Sequence, residues 1–297
     1  MKRMRILGLA LVAVSALAVA LVGASSASAT AKFGECVSFK HGKYADPNCA
    51  TLFLKKGVPV AKGKFEFVGA GECYAKKHGA YDDSACTVLH MKKGVPVPKG
   101  KFEKVPLQNG TESGGTGKLV SAAGTIECTA STGTQNILSP TTASSQTNFT
   151  NCSAESGAVQ CTGLIPNPNT GKEEPGEIST FKLGATLAED QPHEASARLL
   201  GEGSDGLGGP NEGKYFAEAA CPPVTAFRVD GGPLGDNITP VNTMGTSNTI
   251  EFLTGDEQGL LTEFGAPPWS PPAATLPSEQ IGNVTITNPK AAEVHVN

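Results

Sequence analysis

Two cysteine–histidine sets recur with one spacing: Cys36, His41 and Cys49, then Cys73, His78 and Cys86. Thiolate and imidazole are good zinc ligands, but C-x4-H-x7-C fits no common zinc pattern, and exported thiols oxidise. The six residues therefore read as two disulfides, each with a histidine in the intervening turn, and no metal site is assigned.

Lysines form the second candidate set. Lys55, Lys56, Lys62 and Lys64 recur as Lys92, Lys93, Lys99 and Lys101. Lys62 and Lys64 share one side at strand spacing, so repetition builds a basic stripe. Such a stripe could hold teichoic acid, an anionic polysaccharide or lipid headgroups, with binding that fades in salt. The plainer role is a solvated face that stops edge strands pairing. Nucleic acid is not an expected partner, because exposed aromatics are not interleaved with the lysines.

Three further features carry weaker chemistry. Trp269 sits in the proline loop Ala266-Pro267-Pro268-Trp269-Ser270-Pro271-Pro272, where an indole either stacks on a sugar or pins the loop to the core. Glu189, Asp190, His193 and Glu194, with Glu202 and Asp205, make an acidic loop that lacks the order of a calcium-binding loop. Gly114-Gly115-Thr116-Gly117-Lys118 resembles a phosphate loop, but Glu112 and Leu119 occupy positions where that motif needs Gly and Ser or Thr. No G-x-S-x-G or H-E-x-x-H is present, so no catalytic residue and no cofactor is assigned. A glycosidase needs only two carboxylates near one another in space, and linear order does not exclude that.

The elements that must position these residues begin after residue 29. Lys2, Arg3 and Arg5, an apolar run from Ile6 to Val22 and Ala27-Ser28-Ala29 have the order of a secretory signal, read as residues 1–29. The product is expected outside the cell, free or held non-covalently at the cell wall, and without a transmembrane span once the signal is cut. All eight cysteines then lie in an oxidising space and read as disulfides: Cys36, Cys49, Cys73, Cys86, Cys128, Cys152, Cys161 and Cys221.

Residues 34–70 and 71–107 align without a gap, with 22 identities over a period of 37. A unit this short is below the roughly 40 residues at which an apolar core suffices, so each needs its staple. Bridges within each repeat, Cys36 to Cys49 and Cys73 to Cys86, are the economical arrangement. Within each, Leu52-Phe53-Leu54 and Lys64-Phe65-Glu66-Phe67 read as strands around a Gly/Pro turn, and Leu89 to Val105 copies them. Residues 30–107 form the repeat region, 108–117 read as a linker, and 118–297 as a second domain.

In that domain Phe181, Leu183, Ala185 and Leu187 alternate with polar or small residues, as do Ile250 and Phe252, Val284 and Ile286, and Val294 and Val296. This is the period of strands with one wet face, and the many short segments predict an all-β, antiparallel, sandwich-like domain. Cys152 and Cys161 are near enough to clip a hairpin, leaving Cys128 with Cys221. Four cysteines allow three connectivities, and the sequence does not choose. The two regions differ in charge: residues 30–107 carry 14 lysines against 7 carboxylates, whereas residues 108–297 carry 7 basic side chains against 21 acidic ones.

The repeat, with Thr125-Ile126-Glu127-Cys128-Thr129, Asn148-Phe149-Thr150-Asn151-Cys152, Asn237-Ile238-Thr239-Pro240-Val241-Asn242-Thr243-Met244 and Glu293-Val294-His295-Val296, resembles secreted β-rich proteins of thermoleophilic actinobacteria. The resemblance implies bacterial export and a β-rich fold, and it implies no activity. Together these readings predict a non-enzymatic extracellular or envelope-associated binding protein. The alternatives are a polysaccharide hydrolase on a β scaffold and a structural coat or matrix protein.

Overall fold

The computed structural model of the chain describes residues 31–154, 157–191, 194–201, 215–222, 225–255, 258–265 and 274–296. The signal segment, Trp269 and three of the six acidic-loop residues (His193, Glu202, Asp205) lie outside these residues. No helix among them is long and apolar enough to cross a membrane.

The protein is all-β and antiparallel, as the alternation predicts. In the first repeat, strand Lys32–Gly42 pairs with Gly63–Gly69, and Gly34 faces Gly69. The second repeat copies the register: Cys73 faces Lys104 as Cys36 faces Phe67, and Gly79 faces Gly100 as Gly42 faces Gly63. The Gly/Pro turn is tighter than expected. Leu54–Lys55 and Val58–Pro59 form a small hairpin of their own, so Gly63–Gly69 takes Lys32–Gly42 as partner instead of Leu52–Leu54. Cys36 is bonded to Cys49 and Cys73 to Cys86, each closing a separation of 13 residues.

The larger region has two halves, and strand Ala274–His295 runs through both. In one half the neighbours run Gly245–Phe252, the second part of Ala274–His295, Asn109–Gly114, Ala130–Ile137, Thr142–Thr150, Leu183–Gln191, Glu194–Gly201 and Leu234–Gly235. Asn237–Thr239 then pairs back onto Gly245–Phe252, so the sheet turns upon itself around a core that includes Leu187, Ala197, Ile250 and Phe252. In the other half Gly117–Ser121, Gly124–Cys128, Ser153–Ala154 and Val159–Gln160 lie to one side of Ala274–His295. Leu260–Gly265, Thr225–Gly231, Tyr215–Cys221 and Thr162–Gly163 lie to the other. Its core holds Phe216, Phe227 and Val229. Inward positions are apolar because burying them drives the folding, at about 25 cal/mol per Å² of apolar surface.

Two expectations are corrected here. Residues 108–117 are no loose linker. Asn109–Gly114 is an interior strand, paired on one side with Ala130–Ile137 and on the other with Ala274–His295. Its inward residues are Gly110 and Glu112, so the apolar alternation that marks a buried strand is missing from it.

The sulfur pairing also differs from the expected one. Cys128 is bonded to Cys152, and Cys161 to Cys221. The registers explain why. Glu127 faces Ser153, Ser153 faces Gln160 and Thr162 faces Ala220, so the four cysteines form one row across adjacent strands. Cys152 and Cys161 are indeed neighbours, and the Cys161 amide donates to the Cys152 carbonyl at 2.9 Å. Bonding them to each other would strand Cys128 and Cys221 about three strand spacings apart, roughly 14 Å, beyond the reach of a disulfide. Outward pairing satisfies all four.

Candidate functional site

The eight lysines singled out by spacing, Lys55, Lys56, Lys62, Lys64, Lys92, Lys93, Lys99 and Lys101, are all exposed. Local backbone geometry puts them there. A Cβ on Gly63 would stand 2.0 Å from the Tyr44 carbonyl oxygen, and one on Gly100 would stand 2.2 Å from that of Tyr81. Each K-G-K thus presses its glycine onto the module and turns the two flanking lysines outward. At the hairpins Lys56 and Gly57 have φ of 54° and 79°, and Lys93 and Gly94 have 52° and 79°. Those are the two left-handed central residues of a tight two-residue turn, so each lysine pair sits at a hairpin tip.

Spacing alone did not single out the residues opposite the K-G-K. Between Ala75 and Gly79 the register slips, three residues facing the single Lys101, and the corresponding slip in the first module falls between Ser38 and Gly42. Such a bulge bends its strand and re-aims side chains. In the second module it gathers Lys76, Lys77 and His78 beside Lys99 and Lys101 along an open groove of about 350 Å³. Lys76 is partly neutralised by Glu103, at 3.5 Å. The sequence signal was the run Lys76-Lys77-His78-Gly79, which becomes informative only once the bulge is known.

Carboxylates brace the modules from within. Asp46 accepts from the amides of Asn48, Ala50 and Thr51 at 2.9, 3.3 and 2.6 Å. Desolvation works against its charge, but these donors prevail and hold the carboxyl below its ordinary value. Asp83 does the same in the second module, held low by the Val88 amide and the Thr87 hydroxyl. These loops are scaffolding. The metal reading of Cys36, His41 and Cys49 falls away because both sulfurs of each set are joined. Of the acidic loop, Glu194 is exposed beside Gln191, its pairing partner.

Two buried carboxyls, Glu112 and Glu293, were given no role by their sequence patterns. Glu112 projects into the first core, where the hydroxyls of Ser145 and Thr147 donate to its two oxygens at 2.6 and 2.7 Å. Gly133 makes the room, since a Cβ there would lie 2.7 Å from Glu112 Oε2. Burial raises this carboxyl above its ordinary value, against the pull of the two hydroxyls. The cavity it lines is about 40 Å³, and the cavity in the other half is about 50 Å³. Each has room for water and none for a sugar ring. Phe149, Phe216 and Gln280 line both.

Glu293 and His295 form the second cluster, under the first module. His295 Nδ1 lies 2.8 Å from Glu293 Oε1, and its Nε2 lies 2.9 Å from the Tyr44 hydroxyl. With the proton on Nδ1 donated to Glu293, Nε2 is left to accept from the tyrosine hydroxyl; the geometry accommodates that tautomer. Phe67 stacks on the imidazole at 4.3 Å between centroids. Burial pushes the Glu293 carboxyl up, and the bond from His295 opposes that rise. With an aromatic ring over the imidazole and a tyrosine at its other nitrogen, this cluster is a buried seam with no room for a substrate.

No protein-family model matches the chain, and no curated protein or solved structure shows a significant similarity to it.

Proposed function

We propose that the protein is exported and binds an anionic polymer or surface outside the cell through its lysine-rich modules, with the acidic sandwich as scaffold. The observation that carries this reading is the bulge-built groove, where Lys76, Lys77, Lys99 and Lys101 converge with His78 on a rigid, disulfide-closed module. Lysines held at fixed spacing on a stapled frame lose little freedom on binding, and a duplicated module adds avidity without new chemistry. The four disulfides fit an oxidising compartment. A bacterial envelope is the proposed place of action, which the sequence resemblance to secreted actinobacterial proteins would imply.

The test is sedimentation of the disulfide-intact protein with isolated cell walls over a salt series. The protein should pellet at low salt and be released as salt approaches 1 M, where the screening length falls to about 3 Å. Lys99→Gln with Lys101→Gln should weaken pelleting several-fold without changing the unfolding midpoint. Failure to pellet at low salt would remove the reading.

A further inference from the structure

Eight of the twelve large apolar side chains exposed among the described residues fall within residues 52–107: Leu52, Leu54, Val58, Val88, Leu89, Met91, Val95 and Leu107. The concentration is sharpest at the two small hairpins. Leu54 and Val58 are 54% and 60% exposed, and Met91 and Val95 are 50% and 60% exposed. Each hairpin is two residues per strand, with Leu54 opposite Pro59 and Lys55 opposite Val58, then Met91 opposite Pro96 and Lys92 opposite Val95. A ribbon this short has no second layer to cover either face, so its apolar groups stand in water. The arrangement occurs twice, and where the repeats differ at this site, Leu54 is replaced by another large apolar residue, Met91.

Lysine pairs crown the same ribbons. Two apolar side chains beside two cations on a projecting tip fit one kind of partner better than a polysaccharide: a surface that is anionic outside and hydrocarbon beneath. We infer that the two hairpins insert into an anionic lipid bilayer, with Leu54, Val58, Met91 and Val95 entering the interface while Lys55, Lys56, Lys92 and Lys93 engage the headgroups. This rests on the anionic-surface reading above and narrows it to lipid. Shallow apolar insertion plus attraction to anionic headgroups is a sufficient mode of peripheral binding, and each signal alone is weak. Sugar polymers would use the lysines and leave the apolar groups wet, which gives the inference its discriminating prediction.

The experiment uses the full exported chain with disulfides intact. Its probes are vesicles of phosphatidylcholine alone, vesicles of phosphatidylcholine with phosphatidylglycerol, and soluble polyphosphate. The protein should bind the phosphatidylglycerol vesicles and bind pure phosphatidylcholine at least ten-fold more weakly. Replacing Leu54, Val58, Met91 and Val95 together by Ser should reduce vesicle partitioning on the order of ten-fold and leave polyphosphate binding unchanged. Replacing the four tip lysines by Gln should weaken both. These side chains are exposed, and an unchanged circular dichroism spectrum with no free thiol would show that each variant is folded. Equal vesicle binding by the Ser variant would overturn the insertion. Polyphosphate binding without vesicle binding would overturn it too and spare the broader reading, whereas loss of both would sink both. Lipid-independent dimerisation abolished in the Ser variant would assign the tips to a second copy of the chain and likewise overturn the inference.

Discussion

The two modules are 22 residues identical over 37, yet they have different surroundings. The first is stitched into the sandwich. Lys32 faces His295 and Gly34 faces Glu293 on strand Ala274–His295, and Ala31, Phe33 and Ala70 enter the core of the larger region. In the second, strand Cys73–Gly79 pairs with Gly100–Lys104 and with no other described strand. Its buried Val105 joins Val37 and Val68 of the first module in a small shared core. A sequence difference follows the contacts: Phe67, stacked on His295, corresponds to the exposed Lys104. The shared tyrosine differs only in its surroundings, Tyr44 being buried against the same imidazole and Tyr81 half-buried. One copy is therefore an anchor, and the other presents its basic groove to solvent. Duplication supplied both the hold and the reach.

Removing the anchor should have the largest effect. His295→Ala leaves the Glu293 carboxyl buried beside an empty space, and the expected loss is about 3 kcal/mol or more in chemical denaturation. A loss below 1 kcal/mol would mean that the seam contributes little. The same carboxyl gives a pH signature. Because burial holds it above its ordinary 4.5, its ionised form is disfavoured in the fold. Its effect on stability is absent below 4.5, and stability falls as pH rises toward the raised value and levels off above it. Glu293→Gln should flatten that fall in a pH series of unfolding midpoints.

Exchanging the residue that distinguishes the copies comes next. Phe67→Lys removes the ring stacked on His295 and puts a cation at the seam, with an expected cost of about 2 kcal/mol. Lys104→Phe at the matching exposed site should lie within about 0.5 kcal/mol of the parent. Equal effects at the two sites would break the distinction between anchor and presenter.

The smallest effect should be the one the modules share. Asp46→Ala removes a carboxylate that caps three amides, at about 1 kcal/mol, and Asp83→Ala should lower the unfolding midpoint in the same direction. Both carboxyls sit below their ordinary 3.8 in the fold. Their contribution is present above that value and disappears as pH falls through the depressed one. A response in only one module would show that the loops are not equivalent.

The chain by itself determined what depends on neighbours in sequence. The alternation of Phe181, Leu183, Ala185 and Leu187 marked a strand, because period two is a property of the backbone. The repeat and its two internal bridges were legible for the same reason, since 13 residues of separation close locally. The exposed lysines were equally readable, whereas the groove waited on a bulge that only pairing reveals.

Tertiary structure decided the rest. Asn109–Gly114 reads as a linker because its inward side chains are Gly110 and Glu112, and only the hydroxyls of Ser145 and Thr147, more than 30 residues away, make burying that carboxyl tolerable. The sulfur connectivity required the order of four strands. Glu293 and His295 alternate with Val294 and Val296 like the wet face of an edge strand, yet they are buried because residues more than 200 positions earlier, Tyr44 and Phe67 among them, cover that face. A polar side chain is buried when a distant segment brings it a partner, and that pairing is a property of the folded sheet, not of the local sequence.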